Sequence, residues 1–413
     1  GREMISVEEA QRIILASVEP IGCEYVELLD SLGRVLAEDV TAAEPIPAWD
    51  NAAMDGYALR AEETRGAAPD RPITLILIGT AAAGQIFDRV VEHGQAVRIM
   101  TGAPLPRGAD AVIRQEDTRA TEREVVILRQ VRSGQNVRSR GEDVKAGERV
   151  LQCGTLCRPG AIGLLAALGR RRVAVYHRPR VGVLATGDEL LRWDEAPQPG
   201  KIYNSNSYAL AAQVVEAGGL SALLGPVADM PALLVRHLRE GMRGDCLVTS
   251  GGVSVGDYDL MAETLRELGA EVRVRGVNMR PGKPFTFALL EQKPVFALPG
   301  NPISCMVTFE LFVRPALRKM QGYYSLLHSQ ITATAAQAIV NKDRRPAYLR
   351  VILTQTEAGY TAALTGDQGS AMLHSMASAD GLACVPGETE IPAGSPVRVI
   401  LLGEGPGAAL ENR

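Results

Sequence analysis

Three short segments in the middle of the chain combine glycine, hydroxyl and carboxylate residues in a pattern that suits an anionic ligand. Thr186-Gly187-Asp188-Glu189 follows the apolar run VGVLA. Ser250-Gly251-Gly252, with Ser254, Gly256 and Asp257, follows CLVT, and Pro299-Gly300-Asn301-Pro302 follows VFAL. Glycine at a strand end lets backbone N–H groups approach a ligand closely, because no Cβ intervenes. A helix beginning there aims its positive end at the same point. Taken singly, Thr-Gly-Asp is equally a helix cap, and Gly-Asn-Pro equally a turn and helix start. Three such segments after three strands point to a phosphorylated or otherwise anionic ligand.

Between the second and third segments lies NMRPGKPFTFAL, in which Arg280 and Lys283 flank a Pro281-Gly282 turn and Pro284 fixes the exit. A rigid turn bearing two cations suits phosphate or another oxyanion, although a plain hairpin with solvated charges has the same sequence. Glu189, Asp229, Asp257 and Asp259 fall at or beyond strand ends. Carboxylates beside phosphate oxygens would suit Mg²⁺, a hard cation that prefers oxygen ligands; each alone also serves as a helix cap.

These residues need a frame. Over 180–320 strand patterns (VGVLAT, SALLGPV, CLVTSGG, VRVRGVN, FTFALL, VFALPG) alternate with helical ones at about 206–217, 231–242, 259–268 and 302–320. That alternation predicts a wound α/β domain with a mostly parallel sheet, in which ligands bind outside the carboxyl ends of the strands. Met306, Phe309, Val313 and Leu317 form the stripe that packs the last helix on the sheet. Upstream, Ser6-Val7-Glu8-Glu9 opens a helix, residues 27–40 give a second short helical pattern, and an Ala- and Leu-rich helix near 159–168 is expected to pack on these N-terminal helices. Short runs from about 70 to 145 predict a small β domain, and short runs from 330 to 402 a barrel or sandwich.

The organisation expected is therefore multidomain α/β plus β: a helical linker domain over 4–45 and 146–178, an inserted β domain over 46–145, a wound α/β domain over 179–327, a C-terminal β barrel over 328–403 and a disordered tail over 404–413. At 413 residues each part has room for a core. A net charge of −4 and the lack of a long basic tract argue against a nucleic-acid or acidic-membrane partner. With 4% aromatic residues there is little to stack single-stranded bases on. No apolar run reaches membrane-spanning length and no signal-peptide pattern occurs before residue 30, so a cytoplasmic location is expected. Cys153 and Cys157 have no second pair or histidine cluster to make a zinc site, and several of the cysteines sit in apolar surroundings that suit buried thiols.

Together the segments resemble the molybdopterin molybdenumtransferase family, the MoeA type that includes the gephyrin E domain. PIPAWDNAAMDGYALR at 45–60 is similar to the family's Asp-Asn-x-x-Met-Asp-Gly-Tyr-Ala signature. VRIMTGAPLPRGADAVI, SRGEDVKAG, VLATGDEL, KIYNSNSYAL, SGGVSVGDYD, RPGKPF, LPGNPISC, RRPAYLR and TGDQGS follow in the family's order, over nearly the whole chain.

The resemblance implies an Mg²⁺-dependent enzyme that cleaves adenylylated molybdopterin, releases AMP and leaves molybdenum, taken from molybdate, on the dithiolene. It implies that the loops at 186–189, 250–257 and 299–302 hold the pterin and its phosphates. Asp50, Thr101, Asp143, Glu189 and Lys283 match positions tied to activity. Asp229, Asp257 and Asp259, with Glu189, would ligate the metal. Arg345, Arg350, Ser370 and Lys283 would hold molybdate, beside Arg280. An elongated homodimer, an upstream molybdopterin adenylyltransferase and downstream apo-molybdoenzymes are the implied partners. In one departure, Gly276 stands where the family often has lysine, with Arg275 adjacent, and Arg280 stands where many members have lysine. An altered oxyanion preference, toward tungstate, is the expectation that follows. A receptor-clustering scaffold, as in gephyrin, and an unrelated nucleotide-handling enzyme sharing only the α/β domain are the alternatives. The intact site residues weigh against the first, and the flanking DNAAMDGYA and RRPAYLR segments against the second.

Overall fold

A computed structural model describes residues 4–228, 230–251 and 257–403, with the backbone alone at 257–260. The chain divides into two compact units, one of residues 1–25 with 174–413 and the other of residues 26–173. The protein is a multidomain α/β chain with a closed C-terminal barrel.

In the first unit the six predicted strands form one sheet. They are β1 (Arg180–Thr186), β2 (Leu220–Val227), β3 (Cys246–Gly251), β4 (Glu271–Arg275), β5 (Thr286–Leu290) and β6 (Lys293–Leu298). Their order is β2-β1-β3-β6-β5-β4; the first four run parallel, and β5 and β4 join antiparallel. Buried on both faces, β1, β3 and β6 read as continuous apolar runs rather than alternating ones. The helices between them are α1 (Ser205–Glu216), α2 (Pro231–Gly241) and α3 (Asp257–Glu267).

After β6 a single helical run covers 302–320: α4 (Pro302–Thr308), a π turn over Phe309–Val313, and α5 (Arg314–Met320). Pro315 explains the wide turn. It has no N–H to donate to the carbonyl of Leu311, one turn back. That carbonyl instead accepts from Gln11 Nε2 at 2.9 Å. The predicted stripe is buried at Phe309, Val313 and Leu317, and Phe312 stacks on Phe285 at 4.4 Å between centroids.

Gln11 belongs to the N-terminal helix Val7–Ala16, whose N-cap Ser6 accepts from the Glu9 N–H. Its Val7, Ala10 and Ile14 lie in the same core as Phe285 and Phe312. The expectation that helix 159–168 packs on the N-terminal helices holds for the second of them only, because the first helix places its apolar face in the α/β core. The helix Pro159–Ala167 packs against Leu28–Ser31, a single 3₁₀ turn that is all the 27–40 pattern forms. Leu29 and Leu32 are exposed and Gly33 turns left-handed, so no apolar face extends that turn.

The barrel comprises β7 (Gln330–Ala335), β8 (Ala347–Thr356), β9 (Gly359–Leu364), β10 (Gly381–Val385) and β11 (Pro396–Leu401), closed in the order β7-β9-β8-β10-β11. Five strands enclose little space. The interior is correspondingly filled by small and branched residues such as Ala333, Ala362, Ala383, Val351 and Val399. Arg280 reaches across from the α/β domain by strand pairing: its N–H donates to Pro346 O and its carbonyl accepts from Tyr348 N.

The second unit holds a six-stranded sheet in the order Ala111–Arg114, Gly56–Leu59, Gln95–Ile99, Ile73–Ala81, Glu124–Ile127, Thr118–Ala120. Apolar clusters cover it, one centred on Leu75 and Ile113, the other on Val97 and Ile99. Gly56, in the MDGYA segment, must be glycine because a Cβ there would lie 1.9 Å from the Ile113 carbonyl oxygen.

Candidate active site

The winding of the sheet reverses between β1 and β3. From β1 the chain crosses to β2 on one side, then returns past β1 to β3 on the other. A crevice opens outside the carboxyl ends at such a point. Thr186-Gly187, Ser250-Gly251 and Gly300-Asn301 close the adjacent strands β1, β3 and β6 there. The sequence-predicted loops are thus brought together, and they touch through main chain. A Cβ on Gly251, at φ +95°, would lie 2.1 Å from the Thr186 carbonyl oxygen, and one on Gly300 would lie 3.3 Å from the Gly251 Cα. Pro299 is buried behind the turn, and Pro302 occupies the first turn of α4. Asn301 precedes that helix without a side-chain capping bond, and Gly300-Asn301-Pro302 forms the turn and helix start that its sequence also allowed.

Glu189 folds back over the end of β1: a Cβ on Gly187 would meet its two carboxylate oxygens at 2.5 and 2.7 Å. Among the described residues that carboxylate has no hydrogen-bond or ion-pair partner, while the Glu189 carbonyl accepts from Ile202 N at 2.8 Å. The main-chain oxygen of Asp188 accepts from Lys201 Nζ. Of the other expected metal ligands, Asp229 lies outside the described residues, as do Gly252, Ser254 and Gly256 of the second loop. Asp257 and Asp259 sit in the first turn of α3, with their side chains outside the description. Among the described residues no cluster of three His, Cys, Asp or Glu could hold a metal. An unpartnered carboxylate at the crevice is nevertheless a hard oxygen donor of the kind Mg²⁺ takes.

Sequence reasoning passed over Asn206. From the first turn of α1 its Nδ2 donates to Ser250 Oγ and to Gly300 O, each at 2.7 Å. A carbonyl oxygen only accepts, so the amide orientation is settled by its partners. The NSNSYAL segment was visible, but which loops Asn206 ties together depends on β3 and β6 being neighbours.

A second recess of about 1260 Å³ opens between β4, the 280–284 turn and the barrel. Arg280, Lys283, Arg345, Arg350 and Ser370 all line it, together with Arg266, Arg273 and Arg275 from α3 and β4, and no carboxylate does among the described residues. Helix α4 connects recess and crevice. Its Ile303 N–H donates to Ser370 O at 3.1 Å, and its Thr308 methyl lies 2.5 Å from where a Cβ on Gly282 would be.

The four expected oxyanion cations differ in how free they are. Lys283 is exposed and has no side-chain partner among the described residues. Arg280 makes no side-chain hydrogen bond there either, though its charge helps hold Asp343 low. Arg345 is engaged by Asp343 through Nε and Nη2 at 2.9 and 2.6 Å, and this grip keeps the Asp343 carboxyl far below the usual carboxylate range. Arg350 is fully buried. Its guanidinium donates to Ser375 Oγ and to the carbonyls of Asp367, Gln368 and Gly369 at 2.8–3.3 Å. Arg350 thus fixes the loop that carries Ser370, with four of its five N–H donors bonded to protein. Gly276, at the position where lysine was expected, holds φ +78° and lines the recess with only Lys283 O and Met4 Cγ near a would-be Cβ.

Asp50, Thr101 and Asp143 belong to the other unit. Asp50 Oδ1 accepts from Arg140 N at 2.7 Å, and Asp143 N donates to Ile46 O at 3.0 Å. Thr101 donates to Asp55 Oδ1 through both its N–H (2.8 Å) and its hydroxyl (2.7 Å), which lowers the Asp55 carboxyl below its ordinary value. Segments 46–55, 101–105 and 136–144 therefore meet, with Ala52 bonded to Gly102 and Ala103 and strand-paired to Val137. Asp55 is a second residue the sequence reading did not single out. Cys246 and Cys305 are buried thiols, the latter pushed up to about 12 by burial.

Comparison with known proteins places three family models along the chain. They are the MoeA N-terminal region (domains I and II) at 5–169, the probable molybdopterin binding domain at 182–319 and the MoeA C-terminal region (domain IV) at 332–402. The chain is 37% identical to a molybdopterin molybdenumtransferase of Bacillus subtilis over 98% of its own length and 95% of that protein's. It is also 37% identical to one of a Nostoc species over 97% and 94%. Among solved structures, a molybdopterin biosynthesis moeA protein from Pyrococcus horikoshii matches with a TM-score of 0.82 at 32% identity, covering 97% of this chain and 100% of that one.

Proposed function

The chain belongs to the molybdopterin molybdenumtransferase family, and from that premise we propose that it is a transferase that loads molybdenum onto molybdopterin in molybdenum cofactor biosynthesis. Its substrates are adenylylated molybdopterin and molybdate; the phosphoanhydride is cleaved, AMP leaves, and molybdenum passes to the dithiolene. One observation carries the reading above the others: a recess walled by cations, in which Lys283 and Arg280 make no side-chain hydrogen bond among the described residues, shares helix α4 with a glycine-built crevice at the switch point of the sheet. A dianion and a pyrophosphate need such surroundings, one side-chain charge and the other main-chain donors.

In this reading the loops ending β1, β3 and β6 receive the pterin and its phosphates, and Lys283, Arg280 and Ser370 receive molybdate. Arg345, oriented by Asp343 and by a longer Nη1 bond to Met279 O at 3.5 Å, adds its charge to the recess. Arg350 acts through the 367–370 loop. Mg²⁺, held by Glu189 with Asp229, Asp257 and Asp259, would neutralise charge that develops as the anhydride breaks. Asp50, Thr101 and Asp143 are the further residues tied to activity, with Asp55 orienting Thr101. A homodimer, a molybdopterin adenylyltransferase upstream, apo-molybdoenzymes downstream and a cytoplasmic location complete the proposal. No helix among the described residues is long and apolar enough to cross a membrane.

The test is to incubate the purified protein with adenylylated molybdopterin, Mg²⁺ and molybdate, following AMP release and reconstitution of an apo-molybdoenzyme. Molybdate-dependent AMP release with active cofactor supports the proposal; tight binding without turnover would contradict it and favour a carrier or scaffold.

A further inference from the structure

We propose that Asn206 is a positioning residue that sets the width of the crevice by tying the second glycine loop to the third. The inference deepens the functional reading and rests on it, because the crevice is the place assigned to the pterin and its phosphates. The ladder between β3 and β6 ends at the pair Ser250 and Leu298. Beyond it the Gly251 and Gly300 main chains lie so close that a Cβ on Gly300 would sit 3.3 Å from the Gly251 Cα. Across this junction one Asn206 amide donates to Ser250 Oγ and Gly300 O, both at 2.7 Å, which engages both of its hydrogens. The clamp is anchored at both ends. Helix α1 is itself capped by Asn204, which accepts from Ser207 N, and the Ser250 hydroxyl hydrogen-bonds the buried Cys305 of α4. Asn206 therefore acts on the ligand through the two loops it holds.

The experiment measures equilibrium binding of adenylylated molybdopterin and, separately, of molybdate, in wild type, Asn206→Ala, Asn206→Asp, Ser250→Ala and the Asn206→Ala/Ser250→Ala double variant. Asn206→Ala is expected to weaken pterin binding about tenfold, the scale of one or two lost hydrogen bonds, with molybdate affinity within about twofold of wild type. Asn206→Asp keeps the shape but sets an acceptor against the Gly300 carbonyl, so its loss should be at least as large, and it stands in if the alanine variant does not fold. The cost of Asn206→Ala should shrink in the Ser250→Ala background, since one of its two partners is already gone. Unchanged pterin affinity in a folded Asn206 variant, or pterin and molybdate affinities falling together, would overturn the inference alone. Failure of wild type to bind the pterin would overturn the functional reading, and this inference with it.

Discussion

At the ends of β1, β3 and β6 the protein offers a ligand its main chain; in the recess against the barrel it offers guanidinium and ammonium groups. The crevice is walled by main chain because Gly251 lets backbones approach where a Cβ would lie 2.1 Å from the Thr186 carbonyl oxygen. The recess is wide and walled by arginine and lysine from two different domains. A backbone site takes its shape from the sheet and is damaged by added bulk. A side-chain site takes its charge from single residues and is damaged by their removal. The two regions should therefore fail in different ways when altered.

The largest effect is expected from bulk in the crevice. Gly251→Ala places a Cβ 2.1 Å from the Thr186 carbonyl at a left-handed φ. A destabilisation on the order of 3 kcal/mol should follow, with loss of pterin binding, as read by denaturant unfolding and ligand titration. In the recess, Arg350→Met leaves the 367–369 carbonyls and Ser375 without their donor. It should cost about 2–3 kcal/mol of stability and weaken molybdate binding while pterin binding persists. Equal loss of both ligands would break the distinction between the two regions.

Lys283→Ala removes an exposed cation with no side-chain partner among the described residues, so it should lower molybdate affinity by roughly 10- to 100-fold with no shift in melting temperature. Asp343→Asn sharpens the comparison through pH. Because the Asp343 carboxyl is held far below its ordinary value by Arg345, its contribution to stability is fully present above the unfolded-state pKa. That contribution is lost as pH falls through the ordinary carboxylate range toward the folded value. Wild type should thus exceed Asp343→Asn in stability by a constant margin at neutral pH, and the margin should close in strong acid. A margin that grows with acidification would refute the assigned sign. The smallest effect is expected from Thr101→Val, which removes the hydroxyl bond to Asp55 but keeps the N–H bond. About 1 kcal/mol or less of stability is at stake, so any large activity loss would be chemical rather than structural.

The crevice was legible in the sequence because its chemistry is local. Gly after an apolar run, followed at β3 and β6 by a helix, carries its own meaning, and all six strands of the sheet were visible as strand patterns. The recess was half legible. Arg280 and Lys283 stand in one turn, and Arg345 and Arg350 in another segment, but the sequence does not say which of them are already occupied. That Arg350 is held by Ser375 and the 367–369 carbonyls depends on how that loop folds over β8, and that Arg345 is held by Asp343 depends on the local turn between them. Asn206 was missed for a related reason, since its two partners, Ser250 and Gly300, lie 44 and 94 residues further along the chain. The N-terminal helix was read correctly as a helix but given the wrong neighbours, because an amphipathic face states that it will be buried and not against what.

The most direct measurement is a pair of equilibrium titrations, adenylylated molybdopterin and molybdate, against wild type and Lys283→Ala. The account predicts that Lys283→Ala loses molybdate affinity and keeps pterin affinity. Equal loss of both ligands, or no loss of molybdate binding, would contradict it.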